Sequence, residues 1–178
     1  ENTGIRKDGS WNFNREVKIS LRDNHKNLKF SKDIERIQNG GYRFKFSNEV
    51  NLESVFELKR LIEYCENNNI YVVAMINPFP KSINEEIIKN GKHAYMNKIL
   101  PEVKKIITNA NFEIWDINQL TNYNMNDDEF IDAVHGVEVA SVKTLLCMID
   151  HNSILSNFVN KEKLTKALNQ RRNNYIIY

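Results

Sequence analysis

Asp132 and His135 are the residues of this chain best suited, by type and spacing, to move a proton. They stand in Asp127-Asp128-Glu129-Phe130-Ile131-Asp132-Ala133-Val134-His135-Gly136, after a predicted strand and at the mouth of an apolar helix. A separation of three lets one carboxylate and one imidazole share a single turn. A carboxylate so placed fixes the tautomer of the imidazole, which can then take a proton from a hydroxyl nucleophile. That is the base half of a hydrolase or acyltransferase site. The same residues have a structural alternative: Asp128 or Asp132 as N-cap of the next helix, with His135 a first-turn residue. No serine half is evident in the 178 residues.

The elements that must position this pair follow from periodicity. Leu52, Val55, Phe56, Leu58, Leu61, Ile62 and Cys65 recur at three and four, which predicts a helix capped by Asn51 or Ser47 and ended by Glu66-Asn67-Asn68-Asn69. Ile70–Ile76 is a near-continuous apolar run of strand length, suited to a parallel sheet covered on both faces. Asn77-Pro78-Phe79-Pro80 breaks it. Helix is expected from about Ile83 to Thr108, with Pro101 starting a fresh one. Phe112–Asp116 is a second strand. The Asp132/His135 turn leads into a helix through Val137, Val139, Ala140, Val142, Leu145, Leu146 and Ile149, and Lys161–Arg172 forms one more.

Helices alternating with strands predict a three-layer α/β fold with a parallel sheet. Residues 1–50, rich in Asn and Lys, are read as an irregular arm or insertion with short alternating runs at Val17–Leu21 and Tyr42–Phe46. Residues 51–178 are read as the α/β domain. Two strands are few for a sheet. Further strands must come from the first 50 residues, from another chain or from a segment preceding Glu1, so the domain is read as incomplete. In open parallel sheets ligands bind beyond the carboxyl ends of the strands. Asn77 and Asp116 fall there and are candidates for contacting substrate; turn roles would explain them as well.

Composition removes several classes. A net charge of +2, with Lys and Arg spread along the chain, gives no basis for nucleic-acid or anionic-membrane binding. No run of about 18 apolar residues exists, so no membrane span is expected. Cys65 and Cys147 fit as small buried hydrophobes, with a disulfide left open. His25, His93 and His151 have no acidic or cysteine partner at metal-ligand spacing, and Asp127-Asp128-Glu129 lacks the glycine of a calcium loop, so no metal is expected. Asn39-Gly40-Gly41 is no phosphate loop. Trp11, Phe13, Tyr42, Phe44 and Phe46 either line a carbohydrate-binding surface or pin the arm to the core.

Asp132-x-x-His135 at the start of the last core helix resembles the C-terminal block of the SGNH (GDSL-like) hydrolase superfamily. Val72–Pro80 looks like a late strand of that flavodoxin-like fold with its proline-bearing loop, and Phe112–Asp116 like the next strand. Gly4–Trp11 is similar to a segment of bacterial cell-envelope members, relatives of the D-alanyl lipoteichoic acid transfer protein. The resemblance is best over residues 51 to 150. It implies that His135 is the general base and that Asp132 orients it. The family's nucleophilic serine sits in a Gly-Asp-Ser block after its first strand, and its oxyanion hole uses that serine's N–H, a glycine and an asparagine. Those blocks are not clear here. Ser10, in Asp8-Gly9-Ser10, has the residue types in another order and is either the nucleophile or a turn serine. The implied function is a serine esterase or O-acyltransferase, without cofactor, acting on acyl esters of a cell-envelope glycan or similar polymer. A cell-envelope or extracellular bacterial location follows from the resemblance alone; the sequence also allows a cytoplasmic one. The other expectation is a non-catalytic envelope binding or assembly domain that kept the fold and lost the serine.

Overall fold

The computed structural model describes residues 4–5, 11–12, 30–117, 125–171, 173 and 177. The protein is α/β. Gly4–Ile5 (β1) and Trp11–Asn12 (β2) pair antiparallel, and Val73–Ile76 (β3) and Glu113–Asp116 (β4) pair parallel, Val73 opposite Glu113 and Ile76 opposite Asp116. Among the described residues the helices are Ser31–Asn39 (α1), Leu52–Asn67 (α2), Lys81–Asn90 (α3), Met96–Asn109 (α4), Glu138–Asp150 (α5) and Lys161–Asn169 (α6). None is long and apolar enough to cross a membrane.

Ser31–Asn39 corrects the reading of residues 1–50 as irregular. Its apolar residues Ile34 and Ile37 continue a stripe begun by Phe30. The helix ends on Gly40, whose positive φ of 68° closes it through an N–H bond to Arg36 O. A Cβ at Gly40 would lie 2.8 Å from the Phe46 ring, so another residue would have to displace that ring as well as take up the left-handed φ. Tyr42–Phe46 is not a strand: Phe44 is buried, while Tyr42 and Phe46 are exposed. Val17–Leu21 lies outside the described residues.

Asn51 caps α2 as expected, its Oδ1 accepting the Ser54 N–H at 3.0 Å. The helix buries only Ile62 and Cys65 fully; Leu52, Phe56 and Leu61, apolar residues of the same periodic set, are exposed. The long helical stretch after β3 breaks at Gly91, which adopts φ 71°, and Pro101 lies within α4 instead of starting it. Met75 is half exposed, so β3 is not covered on both faces.

Two apolar clusters hold the chain. One joins Val137, Val139 and Leu146 to Leu168 and Ile177. The other joins Phe30, Ile37 and Phe44 to Ile83, Ile87, Phe130 and Ala133, across position 50. Cys65 and Cys147 are buried and not joined in a disulfide, and burial followed by the Asp150 charge pushes the Cys147 thiol up.

A polar knot fastens β4 to the end of α5. Glu113 accepts the Ser153 hydroxyl at 2.6 Å, the Ile154 N–H at 2.7 Å and the Trp115 Nε1–H at 3.0 Å. Burial pushes the Glu113 carboxyl up, but hydrogen bonds from Ser153, Ile154, Trp115 and Tyr71 more than offset it and leave it below the usual carboxylate range. A depressed folded value means the stabilisation is present above the unfolded value and lost as pH falls through the folded one. Urea midpoints of the wild type are therefore expected to drop between neutral and strongly acid pH, and Glu113→Gln to flatten that dependence. Equal slopes for the two proteins would refute this role.

Candidate functional site

Packing on two sides builds the turn that carries Asp132 and His135. Ile131 and Val137 belong to the α5–α6 cluster, while Phe130, Ala133 and Val134 belong to the α1–α3 cluster. The turn closes through a bridge between Phe130 and Gly136, the Ile131 N–H bond to His135 O (2.8 Å) and the Val137 N–H bond to Glu129 O (2.9 Å). A Cβ on Gly136 would lie 2.8 Å from Ala140 Cβ, so a larger residue would push the turn off α5. What this packing leaves outside is Asp132 and His135, with 42% and 53% of their side chains exposed.

The two side chains meet. His135 Nδ1 lies 2.7 Å from Asp132 Oδ2, and Asp132 Oδ1 accepts the N–H groups of Val134 and His135, both at 2.9 Å. Burial pushes the Asp132 carboxyl up, but the His135 side chain, the two backbone N–H groups and the His135 charge outweigh it and hold the group below the usual carboxylate range. An ionised carboxylate only accepts, so Nδ1 carries the hydrogen, and in the neutral ring the lone pair is then on Nε2. Among the described residues no hydroxyl is hydrogen-bonded to Nε2. The helix-cap alternative does not hold: α5 begins at Glu138 with no side-chain cap, and Asp132 caps its own turn.

Asn77 and Asp116 stand at the same end of the parallel pair. Asp116 is opposite Ile76, and Asn77 follows Ile76. Phe79, three residues past the end of β3, packs against the cluster containing Phe130 and Ala133, which flank Asp132. Asn77 and Asp116 have partners of their own and make no hydrogen bond to Asp132 or His135. Ser10 lies outside the described residues.

No protein-family model matches this chain, and neither a curated protein nor a solved structure does.

Among the described residues no group of three or more His, Cys, Asp or Glu could hold a metal. His93 is buried, with Nε2 2.9 Å from Phe44 O, and His151 Nδ1 lies 2.8 Å from Cys147 O; both bonds serve the backbone. His25 lies outside the described residues.

Two residues that sequence reading missed brace the turn. Asp33 on α1 accepts the Ala133 N–H through Oδ2 at 3.1 Å, and Arg36 Nη1 through Oδ1 at 2.8 Å. Glu129, at the foot of the turn, is buried and paired with Lys143 of α5. Neither follows a local pattern. Asp33 reaches across 100 positions, and Lys143 reads as an ordinary helical lysine.

Proposed function

We propose that this protein is an SGNH-like serine esterase or O-acyltransferase in which Asp132 orients His135 as the general base. The observation that carries the reading is the 2.7 Å contact between Nδ1 and Oδ2 on an open turn. The packing of Phe79, just past the carboxyl end of β3, against residues flanking Asp132 supports it, as does the order of strand, proline-bearing loop, strand, Asp-x-x-His and helix. The wider architecture we propose is the three-layer, flavodoxin-like sheet of that superfamily, with β3 and β4 as two of its strands.

In this mechanism a serine hydroxyl attacks the acyl carbonyl as His135 Nε2 takes its proton. The imidazolium, stabilised by Asp132, then returns a proton to the leaving oxygen. The nucleophile is either Ser10 or a serine outside this stretch. Asn77 and Asp116 are the residues proposed to contact the substrate. No cofactor enters these steps. The proposed substrate is an acyl ester of a cell-envelope glycan or similar polymer, and the proposed location the envelope or the exterior of a bacterium.

The second reading is a non-catalytic envelope binding or assembly domain. It is favoured by the absence, among the described residues, of a hydroxyl at Nε2. Labelling of the full-length protein with a serine-reactive fluorophosphonate separates the two. The enzyme reading expects labelling that is strongly slowed in His135→Ala. Labelling indifferent to His135, or none, would leave the binding reading.

A further inference from the structure

A cleft of about 210 Å³ opens beside the Asp132 turn, lined by Asp33, Arg36, Tyr42, Arg43, Asp132 and Val134 among others. Its far wall is a tight turn after α1. Gly41 N–H bonds Arg36 O at 2.8 Å, Phe44 N–H bonds Gly41 O at 3.0 Å, and the Phe44 side chain is buried. This turn holds Tyr42 at φ 53°, a left-handed conformation that costs a bulky residue energy and is kept where the surroundings impose it. Tyr42 is largely exposed, and two guanidinium groups rest on its ring, Arg36 at 5.4 Å and Arg43 at 5.2 Å from the centroid.

Asp33 and Asp132 also line the cleft, but their four oxygens are engaged. Those of Asp33 take Arg36 and the Ala133 N–H; those of Asp132 take His135 and two backbone N–H groups. Among the described residues no carboxylate pairs with Arg43. The uncommitted charge of the cleft is therefore Arg43, together with the Arg36 nitrogens that Asp33 does not take. Guanidinium donors in a fixed fork match the oxygens of a carboxylate or phosphate.

We propose that this cleft is a subsite for an anionic group, carboxylate or phosphate, on the molecule that the Asp132–His135 turn acts on. As a statement about substrate it rests on the acyl-transfer reading above; as a binding site it stands without it. Arg43 supplies the free fork, Arg36 the second cation, and Tyr42 the platform that aligns both.

The test uses the full-length protein, isotopically labelled, titrated with inorganic phosphate, acetate or neutral glycerol at constant ionic strength and followed by amide NMR. Phosphate or acetate is expected to give saturable shifts at Tyr42, Arg43, Ala133 and Val134 in the wild type. Arg43→Gln should weaken that binding at least about 10-fold, the worth of a charge-assisted pair, and Arg43→Lys should weaken it less. Comparing the two anions tells which group the fork prefers. The proposal is overturned if neither anion gives saturable shifts, if glycerol gives the same ones, or if Arg43→Gln binds as the wild type does. Fluorophosphonate labelling reports separately. His135-dependent labelling without anion binding ends this proposal and leaves the enzyme. Anion binding without labelling leaves the subsite and ends the acyl chemistry.

Discussion

Asp132→Asn in the full-length protein is expected to lower kcat/KM on a small ester such as p-nitrophenyl acetate by roughly 10³- to 10⁴-fold, the scale set by losing the tautomer in Ser-His-Asp enzymes. The cause is the direction of one hydrogen bond. Asp132 Oδ2 accepts from His135 Nδ1 at 2.7 Å, which leaves Nε2 as the base. The asparagine amide nitrogen would stand there as a donor, so Nδ1 must accept and the ring proton moves to Nε2. The variant keeps its fold, because an asparagine Oδ1 still accepts the N–H groups of Val134 and His135. Asp132→Ala removes both functions. It should lose as much activity and, in addition, about 1 kcal/mol or more of stability from the uncapped turn. His135→Ala should be as inactive as either, and Asp132→Asn/His135→Ala no worse than His135→Ala, since residues acting as a unit do not add. An Asp132→Asn protein as active as the wild type, with its thermal unfolding unchanged, would show that the contact is structural only.

What the sequence made legible is what local physics decides. The Asn51 cap, the two strand runs and the helix over Val137–Ile149 are each set by neighbours within a few positions, and each forms close to where periodicity puts it. The Asp132–His135 contact was legible for the same reason, because a three-residue separation confines both side chains to one turn. Pro101 misled because proline favours a helix start, yet here α4 begins at Met96 and runs through it. Helix α1 was hidden because its apolar residues are few among Asn, Lys, Asp and Glu, and its stability comes from packing against α3. The braces of the turn were beyond reach. Asp33 on Ala133 and Glu129 on Lys143 are tertiary pairs that no local spacing signals, and so is Glu113 on Ser153 at the end of α5. The cleft of Arg36, Tyr42 and Arg43 belongs with them, since only the fold sets it beside Asp132.

Lys143→Ala should cause the largest loss of stability of any charge removal here, about 3–5 kcal/mol, because it strands a buried carboxylate. Glu129 is 1% exposed and accepts a hydrogen bond from Lys143 through Oε1, while its buried Oε2 has no hydrogen-bond partner among the described residues. The Lys143 ammonium is thus what balances that charge. For a chain of this length the loss corresponds to roughly 10 °C in Tm. The damage should also reach the site. Glu129 O closes the turn by accepting the Val137 N–H, so a carboxylate seeking solvent pulls on the turn that holds Asp132. Glu129→Leu/Lys143→Met tests the cause, since replacing both charges by apolar groups is often neutral or stabilising. The double variant is expected to recover most of the lost Tm in calorimetry, and with it the His135 Nδ1 proton resonance that reports the Asp132 hydrogen bond. A double variant as unstable as Lys143→Ala would mean that the lysine stem, not its charge, is what α5 requires.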